Sequence, residues 1–427
     1  MSTAGPASAL SGHVEESKAS TIVGGAIGNL IEWYDWTIYG LLAPVFAQQF
    51  FPSSDRVAAL IAAYSPFALG FLMRPVGSLV LSPMGDRYGR RQMLSLTIIL
   101  MGIGSLMVGL APSYAAIGVG APILLTLARL LQGFSAGGEF QGASAFLAEH
   151  APAERRAYVS SAQLVSIGLA VLIATGVAKL TTAAIPQPAL AEWGWRVPFI
   201  VGALLSLYGV YLRLRVPETP SFVKAESKHE LSRHPIIEAL REHPRSCLFV
   251  FVIQMSTVQF YLWTVFLPGY ANQVGKLPLS DGFLASMIAL AVFCVALPAA
   301  GALSDRIGRK PMLLGTAAGF FLLAYPMFQL LHNGDFLTFL AVDIVGILLL
   351  ASVDGILAAV LCELFPTRLR TSGIGVPYAV CAAIFGGTAP IIAVKYPEGI
   401  AFYVMAIALV TFVVLLFMPE TRGKPLD

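Results

Sequence analysis

"GDRYGRRQML" (85–94) and "SDRIGRKPML" (304–313) are one loop written twice, 219 residues apart. Two further echoes follow in the same order. "EHAPAERR" (149–156) returns as "ELFPTRLR" (363–370), and "VPETP" (216–220) returns as "MPETR" (418–422), at offsets of 214 and 202. Three ordered echoes mean a duplicated chain. The polar segment of roughly 216–245 is the join between its halves.

Composition sets the medium. Of the 427 residues 57% are hydrophobic and only 12% charged, against about 25% charged in an ordinary soluble domain. Stretches long enough for the roughly 20 residues that cross a bilayer fall at 22–47, 57–82, 92–111, 119–147, 157–180, 195–214, 246–270, 282–303, 311–331, 336–361, 371–393 and 399–418. The expected fold is an all-α membrane protein of twelve transmembrane helices in two pseudo-symmetric six-helix halves. Its parts are a cytoplasmic N-terminal tail (1–20), an N-terminal half (21–215), a cytoplasmic linker (216–245), a C-terminal half (246–418) and a cytoplasmic C-terminal tail (419–427). The four cysteines lack CxxC spacing, so neither a disulfide framework nor a metal site is suggested. No cleavable signal peptide is expected before the first span.

Lys and Arg fix the orientation. Lys18, Arg87, Arg90, Arg91, the pair 155–156, the run from Arg213 to Arg245, and the basic residues at 306–310, 368–370 and 422–424 lie on alternate connections and make 20 of the 27. The opposite side and its span ends hold Arg56, Lys179, Lys276 and Lys395. By the positive-inside rule both termini are cytoplasmic. The net charge of +3 follows from this asymmetry and gives no reason to expect nucleic acid.

The two DRxGR[RK] loops, with "RLLQGFSAGGE" in the fourth span, resemble the major facilitator superfamily. "GNLIEWYDWTIYG" (28–40), "FLMRPVG" (71–77), "EWGWRVPF" (192–199), "PETPSF" (217–222) and "TSGIGVPYAVCAAIFGGTAP" (371–390) together are similar to its metabolite:proton symporter family. The resemblance runs from about 22 to 422. It implies the major facilitator fold in a plasma (inner) membrane, and symport of citrate, 2-oxoglutarate, shikimate, proline or betaine with protons. All of these carry a carboxylate. Two departures stand out: Ser82 replaces the family's Gly four residues before Asp86, whereas Gly301 precedes Asp305; and the seventh span lacks the paired glutamines of sugar porters.

The first span holds two carboxylates. Asn29, Glu32, Asp35 or Trp36, and Tyr39 recur at helical spacing, so they are expected to form one polar stripe. Glu32 and Asp35 lie about 15–20 Å from the cytoplasmic end at 1.5 Å per residue. A carboxylate facing lipid at that depth costs at least a few kcal/mol, so the stripe must face a cavity or a partner. Arg129, at similar depth on the fourth span, is the natural counter-charge. Asp35 is the favoured proton carrier, with Glu32 next; Arg129 and Glu139 complete the expected coupling group. A static ion pair that only orders helices is the alternative. Arg74 either grips a carboxylate bidentately or snorkels to the inner interface. Arg74, Arg129 and, beside the outer interface, Arg196 read as the only arginines within spans.

Candidate substrate contacts are Arg74, Arg129, Tyr34, Tyr39, Gln141, Gln163, Gln259, Tyr261, Tyr378 and Asp354, though packing or interface anchoring explains the aromatic and amide members as well. In the resembled fold Tyr378 and Gln259 belong to cavity-lining spans. The loop residues Asp86, Arg87, Arg90, Asp305, Arg306 and Arg309 read as a cytoplasmic latch, or as topology signals. No HExxH, GxSxG, P-loop or nucleotide fingerprint is present, so neither an enzyme nor a cofactor is expected. The sequence reads as a monomeric importer of a small carboxylate-bearing metabolite with protons; a proton-coupled exporter of drugs or metabolites of the same superfamily is the rival, and an uncoupled channel the remote one.

Overall fold

The computed structural model describes residues 6–227, 232, 234–386 and 396–426. The outer part of the eleventh expected span (387–393), Lys395, Lys228 and Arg233 lie outside the described residues. In a bilayer the backbone must satisfy its own hydrogen bonds, and the described chain does so by helices alone. In chain order these are α1 (Pro6–Phe50), α2 (Arg56–Tyr88), α3 (Arg90–Leu110), α4 (Gly120–His150), α5 (Ala162–Ala184) and α6 (Val197–Arg215). Two short linker helices follow, Pro220–Ser227 and Pro235–Glu242. The second half holds α7, assembled from Pro244–Gln254, Thr257–Tyr261, a wide π turn at Leu262–Phe266 and Leu267–Gly275, then α8 (Leu279–Ile307), α9 (Arg309–Leu330), α10 (Phe336–Glu363), α11 (Arg370–Cys381, continued by a π turn at Ala382–Gly386) and α12 (Ile400–Leu415).

These twelve helices match the twelve expected spans in order. Eight described helical stretches are long and apolar enough by themselves to cross a membrane. The others carry polar interior residues, such as Arg129, Gln132 and Glu139 on α4, or are short, as α12 is with 16 residues. α1 starts at Pro6, well before the hydropathy edge at 22.

Small residues set how closely the helices approach, as expected where lipid removes the hydrophobic drive between them. A Cβ at Gly77, Gly133 or Gly137 would collide with the main chain of the facing helix, so α2 and α4 lie in backbone contact. Between the halves Gly301 on α8 does the same against Ala157. The missing glycine at Ser82 is supplied from the other side: Gly375 on α11 leaves the room that Ser82 Oγ and Ser78 Oγ fill. Large apolar side chains such as Leu72, Leu207, Val295 and Leu322 stand exposed on the perimeter, where the solvent is lipid.

Candidate functional site

The two carboxylates of α1 do not share one stripe. Three residues turn a helix by about 300°, which leaves their side chains about 60° apart, and neighbouring helices widen that divergence. Glu32 turns to α2, where Arg74 Nη2 sits 3.1 Å from its Oε1. Asp35 turns to α3 and α4: Arg129 Nη1 is 3.0 Å from Oδ2, Gln132 Nε2 donates to Oδ2 at 2.8 Å, and Ser105 Oγ donates to Oδ1. Arg129 is therefore the counter-charge of Asp35 alone, which corrects the expectation of a shared one. Arg74 does not snorkel. It is buried, with its guanidinium carbon 4.4 Å from the centroid of Phe71 and 5.0 Å from that of Trp36. Arg129 lies 3.9 Å over the ring of Tyr39, and its Nε and Nη2 have no hydrogen-bond partner among the described residues.

A third buried pair lies toward the loop end. Glu139 Oε1 is 3.6 Å from Arg213 Nη2, Thr97 donates to its other oxygen, and Gly28 on α1 leaves the space its carboxylate needs. Arg213 is fully buried. Reading it as part of the basic linker run, and Arg74, Arg129 and Arg196 as the only span arginines, is thus overturned. Hydropathy placed it at a span edge, but α6 runs to Arg215 and carries it back inside.

A central cavity between the halves is lined by Glu32, Trp33, Arg74, Phe140, Gln141 and Tyr378. Tyr378 stacks on Phe140 with centroids 4.2 Å apart, and Tyr261 stacks on Trp33 at 6.1 Å, so aromatic rings from both halves meet there. Gln141 also donates to Ser82 Oγ at 2.9 Å. The remaining candidates lie elsewhere. Tyr34 donates to Pro198 O at 3.0 Å and Tyr39 to Ala63 O at 2.6 Å, both inside the N-terminal half. Gln163 bonds Phe140 O and Ser144, tying α5 to α4. Gln259 faces an apolar cleft with Ser256, Thr316 and Thr411 in the C-terminal half, contrary to its expected place on the central cavity. Asp354 is buried on α10, makes no ion pair among the described residues and does not line the central cavity.

At the loop end the duplication becomes geometry. Arg90 Nη2 is 3.2 Å from Glu149, and Arg309 Nη2 is 3.0 Å from Glu363. Each glutamate also takes an arginine from the opposite half: Arg370 Nη1 at 2.5 Å for Glu149 and Arg156 Nη1 at 2.9 Å for Glu363. Glu218 accepts from the main-chain N–H groups of Arg90 and Arg91, and Glu420 from those of Arg309 and Lys310. Burial opposes ionisation of Glu420, but the N–H groups of Arg309, Arg422, Lys310 and Thr421 outweigh it and hold its carboxyl below the ordinary value. Asp86 caps α11 of the other half through the N–H groups of Thr371 and Ser372, at 3.1 and 2.8 Å. Asp305 binds those of Ala157 and Tyr158, at 3.1 and 2.9 Å. The halves are thereby closed on each other at this end. Arg87 and Arg306 are exposed and their side chains take no part in these bonds; only the main-chain oxygen of Arg306 joins, accepting from Arg422. Glu149, Arg156, Glu363, Arg370, Glu218 and Glu420 were missed as site residues, although the echoes that reveal the duplication contain all six.

A family model described as Major Facilitator Superfamily matches residues 25–390. The chain is 35% identical to the glycine betaine/proline/ectoine/pipecolic acid transporter OusA of Dickeya dadantii, over 95% of this chain and 84% of that one. It is 34% identical to the citrate-proton symporter of Klebsiella pneumoniae, over 87% and 84% of the two chains. Among solved structures it is similar to the proton:xylose symporter XylE bound to 6-bromo-6-deoxy-D-glucose, with a TM-score of 0.78 and 18% identity over 96% of this chain and 98% of that one, a likeness of fold.

Proposed function

The chain belongs to the Major Facilitator Superfamily and is a solute transporter, and from that premise we propose that it imports a small carboxylate-bearing metabolite together with protons. One observation carries the reading: α1 presents two buried acids, each neutralised by its own arginine from a different helix, and one of them, Glu32, lines a cavity where the two halves meet. The fold alternates access by rocking its halves around a site between them.

The two pairs divide the work. Arg74 and Glu32 line the cavity, so an entering carboxylate competes with Glu32 for the guanidinium, which grips a planar anion through two parallel N–H bonds. Protonation of Glu32 frees Arg74 for that exchange. Asp35 carries the coupling proton. Arg129 is held to it through one nitrogen at 3.0 Å and otherwise rests on the Tyr39 ring, so a small movement of α1 against α4 separates the pair and lets a proton take the place of the guanidinium.

The positive-inside count supports a cytoplasmic position for both termini and the closed loop end, and in this reading the protein is a monomer in the plasma (inner) membrane. The bonds from Asp86, Asp305, Glu149 and Glu363 then form the inner latch, and they must break for release inside. Uptake into proteoliposomes of labelled mono-, di- and tricarboxylates and betaines, with and without an inward proton gradient, tests the reading: gradient-driven accumulation of a carboxylate is expected, and gradient-driven efflux of hydrophobic cations would replace import by the exporter.

A further inference from the structure

Counting along two unbroken helices joins residues that no motif pairs. Arg129 lies 20 positions before Glu149 on α4, and Asp343 lies 20 positions before Glu363 on α10, about 30 Å in each case. Since Glu149 and Glu363 are equivalent in the duplication, so are positions 129 and 343. The N-terminal half puts an arginine there and answers it with Asp35. The C-terminal half puts a carboxylate there and answers it with no base among the described residues.

Asp343 is fully buried. Its Oδ2 accepts from Ser286 Oγ on α8 at 2.7 Å, and its Oδ1 has no hydrogen-bond partner among the described residues. Titratable groups on the elements packed against α10 include Asp281, Cys294, Asp305 and Arg306 on α8, Arg309, Lys310 and Tyr325 on α9, His332 in the following turn, Lys179 on α5, and Tyr261 and Tyr270 on α7. On α10 itself Asp335 caps the start and Asp354 is three turns further on. The ion-paired groups that meet α10 from α4, the 156–160 turn and α11 gather at its far end around Glu363. Among the described residues none makes an ion pair with Asp343. A lone carboxylate in an apolar interior is neutralised rather than tolerated.

We infer that Asp343, held by Ser286, is a proton-binding site of the C-terminal half, separate from the α1 cluster. The proton belongs on Oδ1, the oxygen that has no donor. A hard metal cation needs six or more oxygens, and the site offers the side-chain oxygens of two residues, so the proton is the occupant. The proposal draws on the proton-coupled reading only for its use in transport; proton binding stands on the geometry.

The test is infrared spectroscopy of the full-length protein in liposomes, titrated with acid and base and read in the carbonyl-stretch region of protonated carboxyl groups. Wild type should show a band that Asp343→Asn removes and Ser286→Ala shifts to higher frequency, because the hydroxyl bond to the carboxyl is lost. An unchanged set of carboxyl bands in Asp343→Asn overturns the assignment. Should that variant fail to fold, Ser286→Ala decides alone, and an unmoved band overturns it. The readout needs neither substrate nor uptake, so failure of coupled import at Asp35 and failure of this site are told apart.

Discussion

Arg370 Nη1 stands 2.5 Å from Glu149 Oε1 across the join between the two halves, 221 positions apart in sequence and buried on both sides. The same carboxylate also binds Arg90 at 3.2 Å within its own half. One glutamate therefore ties a motif arginine to the opposite half, and Glu363 repeats the arrangement with Arg309 and Arg156.

Glu149→Gln should open the loop end. Removing one partner of a buried ion pair costs roughly 3–5 kcal/mol, enough to invert a conformational balance of a few kcal/mol. Asp305→Asn, which weakens the contacts to Ala157 and Tyr158, should shift it less in the same direction. Accessibility of cysteines placed along α5 and α8, labelled from each side of sealed vesicles, reads the shift; an unchanged pattern would reduce these residues to topology signals.

Arg213→Met should destabilise the N-terminal half by about 3–5 kcal/mol, because it strips Glu139 of its buried counter-charge. Adding Glu139→Gln should recover part of that loss, since the uncompensated charge goes with it. Denaturant unfolding of the purified variants gives both numbers. Equal stability of Arg213→Met and wild type would mean that the pair at 3.6 Å is not worth counting.

The lowered pKa of Glu420 has a sign. A carboxyl whose value is lowered on folding stabilises the fold above its unfolded value, and that contribution disappears as pH falls through the folded one. The difference in melting temperature between wild type and Glu420→Gln should therefore be full near neutrality and shrink below the ordinary carboxylate range. A difference independent of pH would place the effect in packing.

Hydropathy and repeats carried the architecture because both are one-dimensional: the spans, their order and the duplication can be counted along the chain. Side-chain partnership is not one-dimensional. A period near 3.6 placed Asn29, Glu32 and Asp35 on a common side of α1, but only the packing of α2 against one flank and of α3 and α4 against the other separates Glu32 from Asp35. Arg213 was hidden by its position at a hydropathy edge, where a snorkelling residue and a buried partner look alike. Asp343 sits in an apolar run, and its significance came only from counting back from Glu363.

Arg74→Lys keeps the charge and loses the planar grip, so carboxylate affinity should fall by roughly 1.5–3 kcal/mol, the scale of a charge-assisted hydrogen bond. An analogue with an amide in place of the carboxylate should lose much less. Equal losses in thermal-shift titrations of the two ligands would mean that Arg74 serves Glu32 and not the substrate.

The most direct measurement of the account is transport by Asp35→Asn in proteoliposomes. Asparagine can accept from Gln132 through its amide oxygen and donate to the Ser105 hydroxyl through its amide nitrogen, where Asp35 accepts from both, but it cannot exchange a proton. Accumulation under an inward proton gradient should be abolished, while counterflow exchange of substrate, which moves no net proton, persists. Asp35→Asn vesicles that still concentrate substrate under that gradient would contradict the assignment of the coupling proton to Asp35.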